Sequence, residues 1–256
     1  MAAPITEERR NQLAQILMWE GSLRVNEMAN KFSVSTETIR KDISYLEEIG
    51  IAKKSHGGAL IINDGIFSHF STRSVRNVDA KNRIAAKALE YIPENGVIFI
   101  DIGSTAMTIA KQLISHSNLS IITNSLVVAN ILSNSSNPVY VLGGRLNGAN
   151  MSLLGLWAID ALNSINPDVA FLGTSGFQDF SGPTTGSFDE SEARKKVVQI
   201  SKKSIVIADS SKFHEKTGLV SYSSWDDIDM LITDNGAPKE SLESLKENLQ
   251  IVAVDL

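Results

Sequence analysis

The chain has 256 residues, 43% of them hydrophobic, and its 24 Lys+Arg against 29 Asp+Glu leave a net charge of -5. That length and apolar content suit one large domain or a small one beside a larger one, and argue against disorder. Cysteine is absent, which excludes disulfides, Cys-ligated zinc and a thiol nucleophile. The opening "MAAPITEERR" is charged too early for a signal peptide, and no apolar run reaches bilayer length, so a cytoplasmic protein without membrane contact is expected.

The charge is unevenly spread. Residues 1–83 hold 12 Lys+Arg and 10 Asp+Glu, whereas the remainder holds 12 and 19. An acidic total therefore leaves room for a DNA contact, because counterion release depends on the local cationic face.

In chain order, Thr6 is a plausible N-cap, Glu7 and Glu8 complement the first-turn dipole, and Leu13, Ile16, Leu17 and Trp19 make an apolar face before Gly21. "SLRV" reads as a short extended segment, and Asn26 is expected to cap "EMANKF". After the turn Ser33 to Ser35, "TETIRKDISYLEEI" predicts a third helix ended by Gly50. Ile39, Ile43, Leu46 and Ile49 fall on one face, and Glu37, Arg40, Lys41, Ser44 and Glu48 point roughly the other way. With Ser35, Thr36 and Thr38 at its N-terminal end, such a helix would offer short polar side chains and two cations to a major groove. A solvated face of an ordinary small helical domain fits the periodicity equally.

"IAKKSHGGALII" then reads as a hairpin whose paired glycines permit positive backbone angles. Lys53, Lys54 and His56 would lie on it, placed to touch phosphates beside the groove. The order of these elements is that of a winged helix. Residues 6–60 resemble the DeoR-type winged helix-turn-helix, whose pattern runs through "FSVSTETIRKDISYLEEIG" and closes with "HGGA", here His56 to Ala59. Where that family usually has Leu and Arg before "HGGA", this chain has Ala52 and Lys54. Lysine contacts a phosphate as a point charge, without the bidentate fork of arginine.

The stretch after the hairpin is polar and lacks a sustained apolar face until Ile84, so the expected organisation is a DNA-binding domain over 1–62, a linker over 63–75 and a second domain over 76–256. In that second domain, apolar runs such as "VIFID", "SIIT", "VYVL", "DVAFLG", "SIVIAD", "DMLIT" and "IVAV" alternate with helical stretches. Runs without polar alternation are what strands buried on both faces need. The expected fold is therefore α/β, a mainly parallel Rossmann-like sheet beside the small winged helix-turn-helix domain.

Ligands of such sheets sit outside the carboxyl ends of the strands. There, "DIGSTAM" leaves a strand and opens a helix, so Gly103, Ser104 and Thr105 combine close backbone approach, hydroxyls and free N–H groups at a positive helix end. A capped strand-to-helix turn would have the same residues. "TNSL" adds Thr123, Asn124 and Ser125, "LGGRL" adds Gly143 and Gly144, "ESEARKK" adds Lys195, and "DSSKF" adds Asp209 and Lys212. The lysines could contact a phosphate, and Asp101 and Asp209 could accept hydroxyl hydrogens, which points to a phosphorylated sugar.

Residues 76–250 also resemble the DeoR effector domain, whose fold is similar to that of sugar-phosphate isomerases. The resemblance implies a pocket at the same five motifs. It departs at "GTSGF", where Ser175 stands in place of the family's usual Asp. The expected function is a repressor of a carbohydrate-utilisation operon that binds double-stranded operator DNA as a dimer or tetramer and answers to a phosphorylated sugar. An activator, or an isomerase-like enzyme using Glu192 or Asp101 as base, is the alternative. His56, His69, His116 and His214 have no metal spacing, and neither a metal, a cofactor nor a catalytic residue is expected.

Overall fold

The structure is a computed structural model that describes residues 6–48, 51–61, 73–74, 76–178, 181–214, 218–245 and 249–256. Ile49, Gly50, the Trp19 side chain and most of the expected linker lie outside the described residues. Two compact units make up the chain, Met1–Arg76 and Asn77–Leu256.

In the first unit, α1 (Thr6–Glu20) leads through Gly21 into β1 (Ser22–Arg24), followed by α2 (Val25–Phe32), α3 (Thr36–Glu48), β2 (Ala52–Ser55) and β3 (Gly58–Ile61). The apolar faces of the three helices meet in one core that holds Leu13, Leu17, Met28, Phe32, Ile39, Ile43 and Leu46. The strands form an antiparallel sheet in the order β1-β3-β2.

Asn26 is not the cap of α2. The helix starts at Val25, directly after a strand, because Arg24 pairs with Gly58 and the Val25 N–H donates to the Gly57 carbonyl at 2.9 Å. A contact between distant segments has overridden the local capping preference. The same pairing explains the second glycine of "HGG": a Cβ on Gly58 would lie 2.0 Å from the Leu23 carbonyl oxygen, whereas Gly57 supplies the positive φ of 81° that turns the hairpin.

The second unit is built on a seven-stranded sheet, all of whose pairings are parallel. Its members are β4 (Val97–Ile100), β5 (Ser120–Thr123), β6 (Val139–Val141), β9 (Val169–Leu172), β12 (Ser204–Ile207), β14 (Met230–Asp234) and β15 (Gln250–Val254). Successive residues feed opposite layers. Ile98, Ile100, Ile205 and Ile207 pack with helices α4 (Val78–Leu89), α5 (Ser104–Leu113) and α6 (Leu126–Leu132). Phe99, Ala170 and Leu172 pack with α7 (Leu156–Leu162) and α8 (Phe188–Ile200), and Val206 and Leu231 with α9 (Lys239–Leu245). Burial on both faces is why these strands read as uninterrupted apolar runs.

Two small antiparallel additions were not legible in the apolar pattern: a hairpin of β7 (Arg145–Asn147) and β8 (Ser152–Leu154), and a sheet of β10 (Phe177–Gln178), β11 (Gly182–Thr185) and β13 (Val220–Ser221). The main sheet runs β15-β14-β12-β9-β4-β5-β6. From β4 the chain builds outward to β5 and β6, then returns to β9 on the other side of β4. The strand order therefore reverses between β4 and β9, which is where a sheet of this kind opens a crevice at its carboxyl edge.

Candidate nucleic-acid interface and candidate effector site

The outward face of α3 follows from its periodicity. Ile39, Ile43 and Leu46 are buried, and Glu37, Arg40 and Lys41 are exposed. Ser35 is exposed and caps the helix, its Oγ accepting from the Thr38 N–H at 3.1 Å and lying 2.9 Å from the Thr38 hydroxyl. Thr36, Thr38 and Ser44 are half-buried. Ser44 donates its hydroxyl to the Arg40 carbonyl at 2.9 Å, and Arg40 faces Glu37 at 3.7 Å in an exposed pair of small energetic weight.

On the wing, Lys53, Lys54 and His56 are all exposed. Lys54 is tied to α3: its N–H donates to Glu47 at 2.9 Å and its ammonium approaches the same carboxylate at 2.9 Å. Those contacts, the backbone one foremost, hold the Glu47 carboxyl below its ordinary value. The residues that seat α3 were missed by the sequence reading. Asp42 is buried, accepting from Arg9 Nε at 2.6 Å and from Arg10 Nε at 2.9 Å. Its position three residues after Ile39 and one before Ile43 was the available signal. Arg10 also lies over the Tyr45 ring, 4.1 Å from its centroid.

In the second unit, the loops after β4, β5, β6, β9 and β12 share the carboxyl edge of the sheet. After β4, Asp101 is 1% exposed, and its Oδ2 accepts from Arg194 Nε at 2.7 Å and from the Gly173 N–H at 2.9 Å. Gly173 follows β9, so this carboxylate bridges the two sides of the switch point. Arg194 also donates through Nη1 to Thr185 and, at 3.3 Å, to Glu190. Glu190 in turn accepts from Thr185 Oγ1, from Asn150 Nδ2 at 2.7 Å and from Asn147 Nδ2 at 3.4 Å. Burial alone would favour the neutral form of Arg194, but Asp101 and Glu190 outweigh it and raise the guanidinium above its ordinary value. Tyr222 packs under the guanidinium and donates to the Gly173 carbonyl at 3.0 Å, and burial raises its phenol well above the usual range.

Around this cluster lie the other expected residues. Gly103 has a φ of 127° that only glycine holds easily, and it caps α5 with no side-chain hydrogen bond, leaving the N-terminal amides of Ser104 and Thr105 beside two buried hydroxyl side chains. Thr123 and Ser125 are buried in structural roles: the Thr123 hydroxyl accepts from the Ser125 N–H at 3.0 Å, and the Ser125 hydroxyl accepts from the Val128 N–H at 3.2 Å. Between them Asn124 is 3% exposed and its Oδ1 has no partner, so a donor is required there. Gly143 is exposed, and Gly144 lies against the Leu154 carbonyl. Ser175, after β9, is half-buried and its N–H donates to the Thr184 carbonyl at 2.9 Å.

Asp209 follows β12 and accepts from Asn77 Nδ2 at 2.7 Å and from the Ser211 hydroxyl at 2.6 Å. Burial pushes its carboxyl up, yet these hydrogen bonds and the charges of Lys81 and Lys212 prevail and lower it. Lys212 is half-buried, whereas Lys195 lies on the exposed face of α8 and is not brought to the crevice. Arg194, its neighbour, faces inward. The inward set Glu190, Ala193, Arg194 and Val197 is a helical stripe, and so is Lys81, Ile84, Ala85 and Ala88 on α4. Phase along each helix was the signal for both buried cations. Glu192 is exposed and Asp101 is already doubly bonded through one oxygen, so neither is set as a free base. Among the described residues, no group of three or more His, Asp or Glu could hold a metal ion, and no helix is long and apolar enough to cross a membrane.

Two family models match the chain, the DeoR-like helix-turn-helix domain over residues 9–64 and the DeoR C terminal sensor domain over residues 76–235. Similar proteins include the HTH-type transcriptional regulator GolR of Listeria innocua serovar 6a, 33% identical over 89% of this chain and 90% of its own. The HTH-type transcriptional repressor CsqR of Escherichia coli K12 is 33% identical over 95% of this chain and 93% of its own. The glycerol-3-phosphate regulon repressor of the same strain is 29% identical over 94% and 96%. Among solved structures, ribose 5-phosphate isomerase A of Methanocaldococcus jannaschii is similar over 54% of this chain and 55% of its own, at 19% identity and a TM-score of 0.40.

Proposed function

The chain belongs to the DeoR family of transcriptional regulators, and on that premise we propose that it is a cytoplasmic repressor of a carbohydrate-utilisation operon. In this reading operator DNA is bound by the first unit and released when a phosphorylated sugar occupies the crevice of the second. The outward residues Ser35, Thr36, Glu37, Thr38, Arg40, Lys41 and Ser44 read the major groove. Lys53, Lys54 and His56 on the wing meet flanking phosphates. A single module reads few base pairs, so two copies act on half-sites about 34 Å apart or a multiple of that.

One observation carries the effector reading. At the switch point a buried arginine lies between two buried carboxylates, beside a helix N-terminus that no side chain caps. Carboxylates accept hydroxyl hydrogens and the helix end favours an anion, a pairing that suits a polyol carrying a phosphate. Ser104 and Thr105 take the phosphate, Asp101 and the unpartnered Asn124 Oδ1 take hydroxyls, and Lys212 with Asp209 lines the β12 side. Ligand and operator compete through a coupling of about 1–3 kcal/mol.

An operator-release screen across a panel of sugar phosphates tests this. At least one member should release the wild-type protein from the DNA upstream of its own operon, and Ser104→Asp should abolish that response while leaving operator binding intact. No release by any member, with Ser104→Asp indistinguishable from wild type, would remove the effector assignment.

A further inference from the structure

Helix α7 is built the wrong way round for a helix that faces only solvent. In "LWAIDAL" the buried positions are Ala158 and Leu162, whereas Leu156 and Trp157 are 78% and 77% exposed. Strand β6, the last strand on its side of the main sheet, carries Tyr140 at 57% exposure. Tyr140 pairs with Ile122, whose side chain packs in the α7 and α8 layer, so the tyrosine stands on that same face beyond the reach of the helices. Leu146 of β7 and Phe188 at the start of α8 are also exposed, and the Arg145–Asp189 ion pair ties β7 to α8. A shallow depression of about 390 Å³ lies among them, lined by Gly144, Arg145, Leu154, Gly155, Leu156 and Trp157.

We propose that this face, centred on Trp157 and Leu156 with Tyr140 at its edge, is where a second copy of this chain docks. Aromatic side chains bury roughly 150–250 Å² each, so three partly exposed aromatics and two leucines leave on the order of 500 Å² of apolar surface open. That is near the upper end of what monomers tolerate, about 300–600 Å². It is also a large part of the roughly 800 Å² per partner in a standard interface.

The identity of the occupant follows from symmetry. No described strand pairs with the outer edge of β6, which makes it a sheet edge that a further strand could extend. Two copies related by a two-fold axis would pair that edge antiparallel with itself. The adjoining Arg145 and Asp189, 69% and 48% exposed, are paired with each other within the chain, so the rim of the patch sets no net charge against its own image. The inference rests on the proposed reading only in that a protein reading paired half-sites needs a second copy.

Analytical ultracentrifugation of the full chain over a micromolar range tests it, with Leu156→Ser/Trp157→Ser and Tyr140→Lys as separate variants. Wild type should be a dimer or larger, and each variant should weaken association at least about a hundredfold, the scale of a lost hot spot. Their circular dichroism should remain that of wild type, because the substituted side chains are exposed, while melting should depend more steeply on protein concentration in wild type than in the variants. Binding to DNA carrying a single half-site should also be unchanged, while binding to the paired site falls. A monomeric wild type, or folded variants that keep the wild-type mass, would overturn the proposal. Loss of half-site binding by every protein would count against the regulator reading, and the measured masses would still decide this one.

Discussion

At the residue scale, the strongest constraints are buried charges. Asp42 and Arg9 are 1% and 5% exposed, and removing the carboxylate takes away the opposite charge that the buried guanidinium faces. Asp42→Ala is therefore expected to destabilise the first unit by about 3–5 kcal/mol, read as a shift in its denaturant midpoint. In the second unit Arg194→Met should cost a similar amount, and adding Glu190→Gln should restore part of it by removing one of the two buried negative charges that Arg194 balances. Asp209 gives a pH signature. Its folded-state carboxyl is lowered, so its contribution is full above the ordinary aspartate value of about 3.9 and is lost as pH falls through the folded one. Melting temperature should decline more steeply below about pH 4 in wild type than in Asp209→Asn.

At the element scale, the pairing of α3 with its wing distributes the cations unequally. Glu47 holds Lys54 through both backbone and ammonium, whereas Lys53 is exposed on the same strand. A lysine engaged with a carboxylate releases fewer counterions on meeting a phosphate. Lys53→Ala should then reduce the slope of log operator affinity against log salt by about 0.9, the value of one phosphate contact, and Lys54→Ala should reduce it by less. The capping role of Ser35 can be measured apart from the DNA contact proposed for it. Ser35→Ala removes the hydrogen bond to the Thr38 N–H and should cost about 1 kcal/mol of stability, measurable without DNA.

At the scale of the whole molecule, the proposed function gives the two units separate tasks on one chain and requires a coupling between them. A sugar phosphate present at a hundredfold excess over its dissociation constant should stabilise the second unit by about 2.7 kcal/mol, seen as a shift in its thermal transition. The same ligand should weaken operator binding by about 5–150-fold. Glu190, which accepts from Asn147 and Asn150 of the β7–β8 segment, joins the crevice to the hairpin that carries Leu146. Crevice and proposed docking face thus share one element.

Much of this was legible before any coordinates. The spacing of Ile39, Ile43 and Leu46 determined which side of α3 is buried, and uninterrupted runs such as "VIFI" and "SIVI" determined a parallel sheet with its loops at the carboxyl edge. Both are local patterns, set by the periods of helix and strand. The start of α2, the union of β1 with the wing and the bond from Arg194 to Asp101 across 93 residues were decided only by tertiary structure. Helical phase indicates that Arg194 faces inward, but which carboxylate meets it depends on β9 lying beside β4. That adjacency is a matter of strand order, and strand order is not encoded in the periodicity of any one segment.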